Sequence, residues 1–395
     1  MYIYADNAAT TKISESAIAA MLTCMKEHNG NPSSLHSDGQ DAAEILDKSR
    51  EEIAQILGCL PSEITFTSGG SESDNQALVS AAVIGARKNK KHIISTTFEH
   101  HAVLHTLEHL KTQGYEITLL NVSEKGMVDP ELVKESIRDD TCLVSVMYAN
   151  NEIGTVQDIK KIGAICREKG VLFHTDAVQA AGHIKINVNE ENIDMLSLSA
   201  HKFNGPKGTG VLFARKGIRL TNVIYGGAQE RGKRAGTENL PAIAGMAAAL
   251  KESYEKIDEV TPHIIKARDK IIEGLEKIPH SVVNGDRNMR LPGNVHMCFE
   301  GIEGESLLLL LDNRGIKASS GSACTSGSLD PSHVLLAIGR LHEIAHGSLR
   351  LTIDETITDE QVKYIIDNVT EVVTYLRNMS PLWRDKVNGI KPFYI

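Results

Sequence analysis

Cys142-Leu143-Val144-Ser145-Val146-Met147-Tyr148, then Ile159-Lys160-Lys161-Ile162-Gly163-Ala164-Ile165-Cys166-Arg167-Glu168-Lys169, then Val171-Leu172-Phe173-His174-Thr175 read as strand, helix, strand. The outer runs are short, apolar and β-branched, whereas the middle one repeats apolar residues every three to four positions and stops at Gly170. A helix linking two buried strands is a crossover, so the strands lie parallel in one sheet. The same alternation extends outward, with further strands predicted at 63–67, 92–97, 116–122, 195–199 and 210–214. Helices are predicted at 41–57, 72–87, 103–113 and 130–137. This is an α/β domain with a mostly parallel seven-stranded sheet. From Leu240-Pro241 a helical stretch runs to about residue 278. It is followed by a strand at 295–299, a helix at 305–313, a strand at 349–353 and a helix at 359–377, the pattern of a smaller α+β domain. The expected division is 15–255 for the large domain and 1–14 with 256–395 for the small one.

A chain of 395 residues is too long for one core, in keeping with two domains. Lysine and arginine number 42 against 51 acidic residues, a net charge of −9, which argues against direct nucleic-acid binding as the main function. The amino-terminal residues lack a basic, then apolar, leader pattern, and the longest leucine run is only Leu307 to Leu311, so no membrane association and a cytoplasmic location are expected. Six scattered cysteines without a Cys-x-x-Cys pair suit a reducing compartment.

Cys324 stands in Ser319-Ser320-Gly321-Ser322-Ala323-Cys324-Thr325-Ser326-Gly327-Ser328, where no bulky neighbour could pack it into a core, and it reads as a mobile nucleophile. Cys24, Cys59, Cys142, Cys166 and Cys298 lie in apolar contexts and read as small buried hydrophobes. Ser199-Ala200-His201-Lys202-Phe203 puts a lysine at a strand end, and Asp176, with Gln179 three residues on, puts a carboxylate at another. Thr67-Ser68-Gly69-Gly70-Ser71-Glu72-Ser73 is a glycine-rich turn opening a helix, suited to a phosphate. His100 ends a strand and could lie flat on a ring. An amine, a carboxylate, a stacking ring and a phosphate cradle are the parts that hold and tune pyridoxal phosphate.

Ala5-Asp6-Asn7-Ala8-Ala9-Thr10-Thr11, Gly30-Asn31-Pro32-Ser33-Ser34-Leu35-His36, the run from Thr67 to Asn75, Asn150-Asn151-Glu152-Ile153-Gly154, Arg234-Ala235-Gly236-Thr237-Glu238-Asn239 and the Cys324 segment follow one another in order. Together they resemble the motifs of cysteine desulfurases, the NifS/IscS-type branch of class V pyridoxal-phosphate enzymes. The resemblance implies fold type I, like that of aspartate aminotransferase, and conversion of L-cysteine to L-alanine with the sulfur carried as a persulfide on Cys324. It implies Lys202 as the Schiff-base lysine, Asp176 as partner of the pyridine nitrogen, His100 as the stacked residue and Gln179 as a contact to the phenolic oxygen. Gly70, Ser71, Ser199 and His201 would hold the phosphate, joined by Thr237 from the second subunit of a homodimer. Asn151 would lie near cofactor and substrate, and Arg350 would clamp the substrate carboxylate with its planar fork. The sulfur would pass to an acceptor protein such as an iron–sulfur scaffold, or into thiolated compounds. Selenocysteine lyases and class V aminotransferases share much of this constellation, although the latter need no mobile thiol. A slow sulfur carrier is the reading from another class.

Three motifs point elsewhere. His342-Glu343-Ile344-Ala345-His346 fits a zinc-protease pattern but lacks a third histidine and is read as coincidence, so no metal is expected. Gly205-Pro206-Lys207-Gly208-Thr209-Gly210 imitates a phosphate loop without its Lys-Ser/Thr ending and is read as a turn behind Lys202, and Lys88-Asn89-Lys90-Lys91 is read as a solvated turn.

Overall fold

The computed structural model describes residues 1–320 and 331–395. The chain opens on β1 (Ile3–Tyr4) and lays down β2 (Ile64–Thr67), β3 (His92–Thr96), β4 (Glu116–Leu120), β5 (Thr141–Ser145), β6 (Leu172–Asp176), β7 (Met195–Ser199) and β8 (Gly210–Ala214). After the long helix Leu240–Leu275 come β9 (Ser281–Val283), β10 (Asn294–Phe299), β11 (Ile316–Lys317) and β12 (Ser348–Thr352).

Seven strands form one sheet in the order β2-β8-β7-β6-β5-β3-β4. Neighbours from β7 to β4 run parallel, while β8 runs against both β7 and β2. The reversal has a simple cause: residues 200–209 are too few for a parallel crossover, which needs about a dozen or more. The predicted mostly parallel seven-stranded sheet is therefore the observed one. β3, β5, β7 and β8 are buried at every position, which explains why none of them carries an aspartate, glutamate, lysine or arginine, and β4 at the edge is the most exposed. Because β4 lies outward of β3 while β5 returns to its other side, the strand order reverses between β3 and β5. Open sheets of this kind bind ligands at the carboxyl ends of their strands, beside such a reversal.

A second antiparallel sheet, β9-β10-β12, packs with helix Asp359–Met379 around Val295, Met297, Leu349, Leu351, Ile365 and Val369. Helix Leu240–Leu275 serves both cores. Ile243, Met246 and Leu250 join the core of the large sheet, Ile264, Ile271 and Leu275 join the second, and Pro262 falls between the two sets. β1 pairs with β11, and Ile3 and Ala5 are buried in the second core. This pairing leads Asp6–Thr11 across to the end of the large sheet.

Some elements lay outside the sequence reading. Helix Glu15–Glu27, N-capped by the Ser14 side chain, was not predicted, nor was helix Pro381–Val387. The tail is folded against the end of β10: the Lys386 ammonium, fully buried, lies 2.7 Å from Glu300, the residue after that strand, and 2.9 Å from Glu343. The Tyr394 and Ile395 amides also donate to the Glu300 carboxylate, and Phe393 stacks on His280 with centroids 3.7 Å apart. Among the described residues no helix is long and apolar enough to cross a membrane.

Candidate active site

The carboxyl ends of β6 and β7 deliver Asp176 and the Lys202 turn to one cavity of about 280 Å³. The sequence-predicted residues Gly70, Ser71, His100, Asn151, Asp176, Gln179, Ser199, His201, Lys202 and Arg350 all line it. Lys202 ends the tight turn Ala200–Lys202, and the Gly205 amide folds back to the Ala200 carbonyl, so the residues after Lys202 are indeed a turn behind it. Its Nζ donates to the Ala8 carbonyl at 2.6 Å and to that of Ala9 at 2.8 Å. Gln179 Nε2 donates to the same Ala8 oxygen at 2.9 Å, so the amino-terminal segment forms a wall of the cavity.

Helix Gly70–Ala86 begins at the cavity wall after Gly69, whose φ of +151° suits glycine, and no side chain among the described residues caps its first amides. Those free N–H groups, with Ser71, Ser199 and His201 beside them, form an anion cradle. Burial, then Lys202 and Lys207, lower the His201 pKa to about 4, which keeps that ring neutral.

Asp176 is buried, with Oδ1 accepting from the Val178 amide at 2.9 Å; burial raises its pKa, while His100 and Lys202 oppose the rise. His100 Nδ1 accepts from the Ala102 amide at 3.1 Å, which caps helix His101–Thr112 and fixes the ring. Two further buried acids belong to this corner and carried no signal as motifs. Asp74 lines the cavity one helical turn beyond Gly70, and Glu99 lies beside His100 with its pKa pushed up to about 8 by burial.

Arg350, 2% exposed on β12, reaches the cavity from the second sheet. One terminal nitrogen donates to the Asn151 carbonyl at 2.9 Å and the other lies 3.1 Å from Asp6, while Nε is buried with no partner among the described residues. A planar cationic fork with a donor to spare is what a bound carboxylate requires. The Arg350 backbone also exchanges two hydrogen bonds with Ser319, at 2.7 and 3.1 Å. On the far side of 321–330, the Ser332 hydroxyl donates to Glu152, and His333 Nε2 bonds to the Glu99 carbonyl at 3.0 Å. Both flanks of that segment are thus fastened at the rim, although Cys324 itself lies outside the described residues.

The remaining predicted residues are placed differently. Thr237 does not line the Lys202 cavity; it is exposed beside a separate one with Ser68, Gly208 and Arg234. Cys24, Cys142, Cys166 and Cys298 are buried and Cys59 is half-buried. Burial raises the Cys142 thiol to about 11 and Cys59 and Cys298 to about 12, so they are poor nucleophiles near neutrality. Glu343 of the zinc-protease pattern is the partner of Lys386, and its helix His342–Ala345 is a single turn.

Residues 3–365 match the family model described as class-V aminotransferase. A relative from Methanosarcina thermophila named cysteine desulfurase IscS is 52% identical over 380 residues, covering 96% of this chain and 94% of that protein. The chain belongs to the cysteine desulfurases of the class-V aminotransferase family. A cysteine desulfurase IscS from Clostridium botulinum is 48% identical over 386 residues, 97% of each chain. Among solved structures, a NifS-like protein superposes with a TM-score of 0.89 at 37% identity, covering 95% of this chain and all of its own. A structure titled SspA in complex with cysteine gives a TM-score of 0.79 at 34% identity, covering 89% of this chain and 99% of that one. As a cysteine desulfurase of this family, the chain is a pyridoxal-phosphate-dependent enzyme.

Proposed function

We propose that this cysteine desulfurase moves the sulfur of L-cysteine onto Cys324, releases L-alanine, and hands the sulfur to an acceptor protein such as an iron–sulfur scaffold. The observation that carries the proposal is the meeting of Lys202, Asp176 and Arg350 on one cavity, with both flanks of the Cys324 segment bonded to its rim. From Ser319 the chain to Cys324 can span at most about 18 Å.

The residues present fit pyridoxal phosphate. The start of helix Gly70–Ala86 with Ser71, Ser199 and His201 would hold the phosphate, and Thr237 of the second subunit of a homodimer would join them. Asp176 would hold the pyridine nitrogen, His100 would stack on the ring, and Gln179 would bond the phenolic oxygen. When bound, the cofactor supplies an electron sink for the substrate Cα. Arg350 and Asn151 orient the substrate through its carboxylate. Lys202 Nζ takes the Cα proton and returns one to carbon. The Cys324 thiolate attacks the substrate sulfur, forming an S–S bond as the C–S electron pair moves to carbon, and a proton completes alanine. The division into a large domain over 15–255 and a small one over 1–14 and 256–395 belongs to the same reading, as does a cytoplasmic setting.

Gly70→Ala tests the cradle. Its Cβ would meet Val178 Cγ2 at 2.6 Å and Ser199 Cβ at 3.6 Å, an overpacking worth about 1–3 kcal/mol. Pyridoxal phosphate is then expected to bind about tenfold more weakly, measured by absorbance titration. For the sulfur step, Cys324→Ala is expected to bind cofactor and cysteine but to carry no persulfide by mass spectrometry. Native sulfur release by that variant would refute the role of Cys324.

A further inference from the structure

Asp74 is 1% exposed, and its Oδ1 has no hydrogen-bond partner among the described residues. One side-chain atom each of Asp74, Asp176 and His100 lie within 4.8 Å of one another. The charged and titratable groups around Asp74 come from several elements. On β6 are Asp176 and His174, whose Nε2 lies 3.6 Å from Asp74 Oδ1; Glu99 and His100 follow β3, and Lys202 follows β7. His174 cannot serve as the cation: it is fully buried between the Ser145 and Ser197 hydroxyls, at 2.9 and 3.1 Å, and burial lowers its pKa to about 3. Lys202 and His100 act on Asp176 and favour its ionised form, whereas Asp74 is raised by burial and then by the nearby Asp176. Two buried carboxylates this close, with Lys202 and His100 favouring the ionised form of Asp176, do not both stay ionised.

We propose that Asp74 is a positioning residue that remains a neutral acid at neutral pH and donates its proton in a hydrogen bond to Asp176, leaving Asp176 the single anion presented to the pyridine nitrogen. The inference rests on the proposed placement of the cofactor against Asp176. No bond is made or broken beyond the sharing of one proton. Burial, then the nearness of Asp176, raises the Asp74 pKa well above the usual carboxylate range; a hydrogen bond from the Ser197 side chain opposes the rise without reversing it. Placing Asp74 one turn after Gly70 ties this donor to the helix whose first turn faces the phosphate, so ring and phosphate are held from one rigid element.

The test uses the full chain labelled with carboxyl-¹³C aspartate, with and without bound pyridoxal phosphate, and reads the infrared carbonyl stretch of protonated carboxyls at pH 7.5. The expected result is an isotope-shifted band in the wild type that is lost in Asp74→Asn. Absence of the band from the wild type, or its survival in Asp74→Asn, overturns the proposal. As a second readout, Asp74→Ala is expected to weaken pyridoxal phosphate binding about tenfold or more, the worth of a hydrogen bond to a charged group. Asp74→Asn, a permanently neutral donor, should stay within about threefold of wild type. Equal losses in the two variants would show that a negative charge is needed and would overturn the assignment. Because the band is also read on cofactor-free protein, a chain that never took up pyridoxal phosphate would defeat the proposed function while leaving the proton-sharing result to stand on its own.

Discussion

Lys202→Ala is expected to lower the rate of alanine formation from cysteine by about 10⁴-fold or more, because in the proposed mechanism one amine serves both as cofactor anchor and as proton carrier. Borohydride is expected to fix pyridoxal phosphate to the wild-type chain and to leave none attached to the variant. The variant should be less stable, because Nζ donates to the Ala8 and Ala9 carbonyls and losing a bond to a charged group costs about 1.5–3 kcal/mol, so its fold is checked first by circular dichroism. A well-folded Lys202→Ala protein with near-native turnover would mean that another group does this work.

Arg350→Ala is expected to reduce kcat/KM for cysteine by about 10²–10³-fold, near 3–4 kcal/mol, with most of the loss in KM. The guanidinium is buried with one arm on the Asn151 carbonyl and the other on Asp6, and its Nε has no partner among the described residues. Arg350→Lys should recover little, since a point charge cannot make the same paired bonds. Removing the cation also strips Asp6 of its partner, and burial already raises the Asp6 pKa. The uptake of pyridoxal phosphate by the variant is therefore the control, and it should change far less than KM.

Much of this arrangement was legible in the chain because strand ends and glycine turns are written locally. The runs 195–199 and 210–214 and the helix at 159–169 coincide with β7, β8 and helix Ile159–Lys169. β5 ends at Ser145 rather than Tyr148, yet the Val146 and Tyr148 amides still bond to the His174 and Asp176 carbonyls, so the longer reading had a physical basis. Lys202, Asp176, His100 and Arg350, each singled out from its motif, line one cavity.

What escaped notice depends on tertiary neighbours. Asp74 looks like an ordinary polar helix position, and only the approach of β6 and β7 turns it into a buried acid. Glu99 is one residue from His100 yet carries no pattern of its own. Helix Pro381–Val387 is only seven residues long, too short to show a helical period, and it is held by Lys386 inserted between Glu300 and Glu343, residues distant in sequence.

The most direct test of the central claim follows the absorbance of the purified protein with pyridoxal phosphate as L-cysteine is added, while alanine is quantified in parallel. The expected result is a cofactor band that shifts on cysteine addition as alanine accumulates. A protein that takes up no added pyridoxal phosphate, or whose bound cofactor responds to cysteine without any alanine appearing, would contradict the account.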